Sequence, residues 1–181
     1  MKIAIISDIH NNLANLKKVL DYCDSNKIQT IICCGDLASK ETLDFLNDSF
    51  SGDIHYTFGN MDDGQTQNSF TWTSNVQMYK NTKIYKDFGE IVIDGDPVKS
   101  QGDNGARVAF VHYPDIAQEL CESGKYDFVF HGHTHKPWTE VIGNCTLLNP
   151  GNVANEIYPP TFAVWETKTN HFDLIRINEL K

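Results

Sequence analysis

The feature that most restricts the fold is an alternation between residues 1 and 62. Three apolar runs, Lys2 to Ser7, Gln29 to Cys34 and Ile54 to Phe58, are separated by two amphipathic stretches. In the first stretch Leu13, Leu16, Leu20 and Cys23 recur at the spacing of one helix face, predicting a helix from Leu13 to Asn26. Asn11 or Asn12 stands where it can cap that helix. A second, shorter helix is predicted over Lys40 to Asn47. Strand, helix, strand, helix, strand is the order of a parallel sheet with crossover helices.

Each strand ends in residues that can bind a metal. The first meets Asp8-Ile9-His10, the second Gly35-Asp36 and the third Gly59-Asn60-Met61-Asp62. Ligands of open α/β sheets bind at the carboxyl ends of the strands, so these segments share one edge. The event recurs later. A strand from Arg107 to Val111 ends at His112-Tyr113-Pro114, and one from Tyr126 to Phe130 ends at His131-Gly132-His133-Thr134-His135. If that last segment stays extended, His133 and His135 face one way. An Asp after a strand is usually a turn residue, and a lone His is usually structural. Five such strand ends in one chain are hard to read as turns alone.

Seven side chains emerge as candidate ligands: Asp8, His10, Asp36, Asn60, His112, His133 and His135. With one shared, they suit two metal ions. Asp36 stands alone at its strand end and is the natural bridge, since each carboxylate oxygen can hold one ion. Carboxylate, amide and imidazole without thiolate suit manganese first, with iron, nickel or zinc also compatible. Such a pair of ions serves in-line displacement at phosphorus.

The rest of the chain is read more coarsely. Asp63 to Asn81 is predicted as loops with one short helix. Strands are expected at Lys83 to Lys86 and Glu90 to Asp94, around a turn at Phe88-Gly89. Asp94 to Gly105 is a polar loop that fails the calcium-loop pattern, with Val98 at the third ligand position. A helix is expected from Asp115 to Ser123. Further strands are expected at Trp138 to Ile142, Thr146 to Leu148, Thr161 to Glu166 and Phe172 to Ile177, the first pair a hairpin about Gly143-Asn144. The β-rich second half suggests two packed sheets. The 181 residues fit one domain, spanning 1–181, without needing disulfides to make a core.

Composition narrows the partners. The net charge of -9 disfavours broad binding to a phosphate backbone. A small phosphoester is the favoured substrate; nucleic acid is compatible but not favoured. No apolar run approaches membrane-spanning length. The N-terminal run is too short for a signal peptide before it meets Asp8. Five cysteines, an odd number without a CxxC pair, are expected to be free thiols in a reducing cytoplasm. The oligomeric state is left open, a homodimer included.

The ordered blocks D-x-H, G-D, G-N-x-D, a lone H and G-H-x-H resemble the calcineurin-like metallophosphoesterases, especially the small phosphodiesterases. Asn149-Pro150-Gly151 also resembles a turn of the small members. The resemblance covers residues 3 to about 152. It implies an α/β fold, a four-layer αββα sandwich of two mixed sheets flanked by helices. It also implies two metals, one held by Asp8, His10, Asp36 and His135, the other by Asp36, Asn60, His112 and His133. Attack on phosphorus would come from a hydroxide shared between them. Asp8, Asp36, Asn60 and His133 would act through the metals, and Asp62 would orient a ligand. Many larger relatives carry His where this chain has Met61, and that His is thought to protonate the leaving group. Met61 cannot, which favours a diesterase over a monoesterase. Tyr113 is expected to pack rather than to line the cleft. His131 is expected to lie outside the ligand set. A non-catalytic scaffold on the same fold is the rival reading.

Overall fold

The computed structural model describes residues 1–62, 64–94 and 105–180. The polar loop expected between Asp94 and Gly105 therefore lies, apart from its two ends, outside the described residues, as does Asp63.

Twelve strands and four α-helices follow in order among the described residues. The first half runs β1 (Lys2–Ile6), α1 (Leu13–Ser25), β2 (Thr30–Cys33), α2 (Lys40–Ser49), β3 (Asp53–Thr57), α3 (Gly64–Asn68), β4 (Val76–Tyr79), β5 (Thr82–Tyr85) and β6 (Gly89–Ile93). The second runs β7 (Ala106–Phe110), α4 (Pro114–Glu122), β8 (Phe128–Phe130), β9 (Trp138–Ile142), β10 (Cys145–Asn149), β11 (Thr161–Glu166) and β12 (His171–Arg176). A 3₁₀ turn, Ile177–Glu179, follows.

The strands form two mixed sheets. One has the order β12-β11-β1-β2-β3-β5-β4, the other β6-β7-β8-β10-β9. β1, β2 and β3 run parallel, as the alternation predicts, and β5 joins them in parallel beside β3. β7, β8 and β10 run parallel in the second sheet. Residues alternate between faces along β1, and this sets the layers. Ala4 and Ile6 pack under α1 and α2 with Leu16, Val19, Leu43 and Leu46. Ile3 and Ile5 face the other way, into an intersheet core with Val108, Phe110, Phe130 and Trp165. On the far side of the second sheet, Ala117 and Cys121 of α4 cover Ala109, Val129 and Leu147. The order helix, sheet, sheet, helix is the expected four-layer sandwich.

Three expectations are corrected. Val76–Tyr79, expected as loop, is the strand β4; its burial alternates weakly because it is the edge of the first sheet. The Phe88-Gly89 turn does not join paired strands but crosses between sheets. There a Cβ on Gly89 would strike the Phe110 ring, so only glycine lets the strand pass. The cysteines are not all free. Cys121 and Cys145 form a disulfide that ties the end of α4 to the start of β10, while Cys23, Cys33 and Cys34 are free and buried. The two cysteines lie 24 residues apart in sequence, and nothing in that spacing marks them as neighbours. The reading of a reducing compartment loses the support it drew from free thiols.

No helix among the described residues is long and apolar enough to cross a membrane.

Candidate metal centre

The carboxyl ends of β1, β2, β3, β7 and β8 meet along one edge of the sandwich, and all seven candidate side chains gather there. The loops remain paired after the strands stop. Ile9 and His10 amides donate to the Asp36 carbonyl at 2.8 and 3.1 Å, and the Gly132 amide donates to the His112 carbonyl at 3.1 Å. The backbone turns sharply at the same places. Asp8, His10, Asp36, His133 and His135 all have positive φ, between 46° and 69°. Asp, Asn and His tolerate this region better than most residues. A row of such residues at one edge is the kind of strain that collects at functional sites. It also corrects the extended reading of the last segment. His133 and His135 do not lie along one strand face; each turns to its own partners.

Those partners form two groups. His135 Nε2 lies 3.3 Å from Asp8 Oδ1, and His10 Nε2 lies 3.9 Å from the same oxygen. On the other side, Asn60 Oδ1 is 3.0 Å from His112 Nε2 and 2.8 Å from His133 Nδ1. Asp36 Oδ2 stands between the groups, 3.3 Å from both His10 Nε2 and His112 Nε2. Asp8, Asp36, His112 and His135 are buried, while Asn60 and His133 are exposed beside the exposed Met61. The open side of the site is therefore the Asn60–His133 side.

The charges are coupled. Burial pushes the Asp36 carboxyl up, but His10 and His112 outweigh it and hold the group well below the usual carboxylate range. The Asp36 carboxylate raises His10 against the opposing effect of burial. Burial lowers His112, yet Asp36 overcomes this and leaves it raised. Asp8 raises His135.

The residues fit a divalent ion. Ligand atoms bound at ~2.1 Å to one ion lie ~3 to 3.5 Å from each other, and the spacings here, 2.8 to 3.9 Å, bracket that range. Asp8, His10 and His135 offer atoms within 4.8 Å of one another, as do Asp8, Asp36 and His112. His10 Nε2 is buried without a hydrogen bond to any described residue, an atom that a cation would satisfy. His112 Nδ1 is 2.9 Å from the Cys34 carbonyl, which holds a proton there and leaves Nε2, among Asp36, Asn60 and His133, to face an ion.

The surrounding residues sort by what they touch. Asp62 is buried and binds main chain rather than a ligand side chain. It accepts the Asp36 and Gly59 amides on Oδ2 at 3.0 and 2.6 Å, and the Ala38 amide on Oδ1 at 2.9 Å. Asn12 caps α1 through the Asn15 amide and donates to the Ala154 carbonyl at 2.8 Å, so both ends of its amide are used by the fold. Tyr113 packs, and what it packs on is the rings of His112 and His133, 5.1 and 5.6 Å away. His131 is buried, its Nδ1 facing the Gly132 carbonyl and the Asn149 amide. Two residues at this edge escaped the sequence reading. Glu156 places a carboxylate oxygen 3.0 Å from His10 Nδ1, and buried Asn152 organises its loop. The available signal was topological: β10 is parallel to β8, so the loop after β10 had to emerge at the same edge.

Fold and site together define a metal-dependent phosphoesterase architecture. Residues 1–170 match the model of the calcineurin-like phosphoesterase superfamily domain, and the chain belongs to that superfamily. Among individual proteins, it is similar to phosphodiesterase MJ0936 of Methanocaldococcus jannaschii, 28% identical over 174 residues that cover 95% of this chain and 96% of that protein. A solved archaeal phosphodiesterase superposes with a TM-score of 0.78 at 24% identity, covering 97% and 99% of the two chains. Vps29 of Chaetomium thermophilum shares the fold at a TM-score of 0.66 and 16% identity, covering 97% and 95%.

Proposed function

We propose that this chain is a phosphodiesterase with a binuclear metal centre that acts on small phosphodiesters. The observation that carries the reading is the convergence of Asp8, His10, Asp36, Asn60, His112, His133 and His135 from five strand ends, with Asp36 facing both groups. Asp8, His10, Asp36 and His135 would hold one ion, and Asp36, Asn60, His112 and His133 the other. Two such ions would acidify a water and offset charge on the phosphoryl oxygens. Manganese suits the mixed carboxylate, amide and imidazole set, with iron, nickel and zinc as alternatives.

The chain's own residues then bind and orient. Asp62 fixes the main chain of the Asp36 and Gly59 turns and so sets where the bridging carboxylate points. Substrate enters beside Asn60 and His133. There Met61, 52% exposed, offers an apolar surface and no proton. Burial raises the Tyr113 hydroxyl, so it stays protonated, while its ring lies against His133. Without a donor at Met61, esters with good leaving groups are cleaved best, which favours diesters. The acidic surface favours small molecules over polymers. A non-catalytic role on this fold would not require the full ligand set.

The test compares bis(p-nitrophenyl) phosphate with p-nitrophenyl phosphate across Mn²⁺, Ni²⁺, Zn²⁺ and Mg²⁺. Metal-dependent cleavage favouring the diester is expected. Preference for the monoester would overturn the diesterase assignment, and no cleavage with any metal would favour the non-catalytic role.

A further inference from the structure

The loop after β10 is held in a strained shape that its exposed side chains do not explain. Asn155 and Ile157 have φ of 68° and 63°. For a β-branched residue this is a true outlier, costing about 1–3 kcal/mol. Ile157 is 84% exposed, so no packing of its side chain rewards the conformation. The strain is carried by a network of asparagines. Asn152, fully buried, accepts the Asn155 and Glu156 amides at 2.7 and 3.1 Å and donates to the His135 and Tyr158 carbonyls, each at 3.1 Å. At the start of α1, its cap Asn12 and Asn15 donate to the Ala154 and Val153 carbonyls at 2.8 and 2.7 Å.

What this network places is Glu156, between the two strained residues. Its carboxylate lies 3.0 Å from His10 Nδ1. Its main-chain carbonyl lies 3.3 Å from His135 Nδ1. The two rings stand edge to face, 5.0 Å apart. A neutral imidazole carries one proton, held at the nitrogen with the better-placed acceptor. At His10 that is Nδ1, 3.0 Å from the Glu156 carboxylate against 3.3 Å from Asp36 at Nε2, and this leaves the Nε2 lone pair for a metal. Both Nε2 atoms point toward Asp8, and that of His10 also toward Asp36. A simple surface ion pair would engage the carboxylate alone; here the same residue engages both histidines through two different groups.

We infer that Glu156 is a positioning residue that sets the Nδ1–H tautomer of His10 by its side chain and supports the ring orientation of His135 by its carbonyl. The assignment of both histidines to one ion rests on the proposed metal centre; the tautomers do not. His112 is served separately by the Cys34 carbonyl and acts as an internal control.

The experiment is long-range ¹H–¹⁵N NMR of the imidazoles in the metal-free protein at alkaline pH, followed by titration with Zn²⁺, for the native chain, Glu156→Ala and Glu156→Gln. The native chain is expected to show His10 and His112 as Nδ1–H tautomers and His135 as a mixture, since Asp8 lies 3.3 Å from its Nε2 and the Glu156 carbonyl 3.3 Å from its Nδ1. In Glu156→Ala, His10 loses its Nδ1–H preference, because Asp36 at Nε2 is the acceptor that remains; His135 is unchanged, because the main-chain carbonyl toward it survives. One zinc-binding step weakens about tenfold, in the range found for partners that orient metal-binding histidines. Glu156→Gln, which keeps a neutral acceptor, restores the His10 tautomer and part of the affinity. A purely structural role would shift the amide spectrum of the whole loop and leave the His10 tautomer as in the native chain. An unchanged His10 tautomer in Glu156→Ala overturns the inference. If the native chain bound no zinc, the metal centre would fall while the metal-free tautomers still decided the role of Glu156.

Discussion

Replacing Asp62 by Asn keeps the shape of the side chain and removes its charge, so it isolates what the carboxylate does. The structure gives it three main-chain donors: the Asp36 and Gly59 amides on Oδ2 and the Ala38 amide on Oδ1. An Asn oxygen in the Oδ2 position would retain two of these bonds in neutral form. Its NH₂ would then face the Ala38 amide, donor against donor. Hydrogen bonds to a charged group contribute about 1.5–3 kcal/mol and neutral ones about 1 kcal/mol. One lost bond and two weakened ones sum to roughly 3–5 kcal/mol by the same measure. Burial raises the Asp62 pKa, so part of this is offset because a neutral amide is cheaper to bury. A net loss of about 2–3 kcal/mol remains, or roughly 5–10 °C in Tm for a chain of this size. Asp36 and Ala38 have φ of 57° and 79°, and relaxation there would also swing the Asp36 carboxylate. Calorimetry with and without Mn²⁺ measures both effects. The expected result is a lower Tm together with a smaller Mn²⁺-induced rise in Tm. A Tm within about 1 °C of the native chain, the range of an ordinary surface substitution, would refute the reasoning.

Two further outcomes follow from the same geometry. A Cβ on Gly132 would overlap Ser7 Oγ and approach Asp8 Oδ2 to 2.7 Å, so Gly132→Ala should cost about 1–3 kcal/mol and weaken metal binding by displacing Asp8; isothermal titration with Mn²⁺ reads it. His55 is buried against Tyr85, and burial pushes its pKa down from 6.5 to about 4. The unfolded chain therefore holds the extra proton between these values, and stability falls as pH drops through that window, by up to roughly 3 kcal/mol. His55→Gln should flatten the slope of urea-unfolding stability against pH there.

Much of this was legible because it lay at strand ends. Asp8, Asp36 and Asn60 follow apolar runs whose period and spacing announce a parallel sheet, and a parallel sheet gathers its carboxyl ends. The five blocks then imply the site before any contact is known. The parts that were not legible depend on backbone conformation or on partners distant in sequence. The positive φ at His133 and His135 breaks the extended reading of Phe130 to His135. β4 lacks the clear alternation of a half-buried strand because no described strand pairs beyond it. Cys121 and Cys145 meet only because α4 covers β10. Glu156 sits in a loop with no periodicity, and its importance comes from asparagines contributed by α1 and by the loop itself.

The most direct test of the account is the number of metals bound, counted in the same samples that are assayed for diester cleavage. Native protein titrated with Mn²⁺ should bind two ions per chain and gain activity with the second. His112→Ala should bind one and stay inactive at Mn²⁺ levels that saturate the native chain. A single ion bound by both proteins, or equal cleavage by both, would contradict a site built from two ions bridged by Asp36.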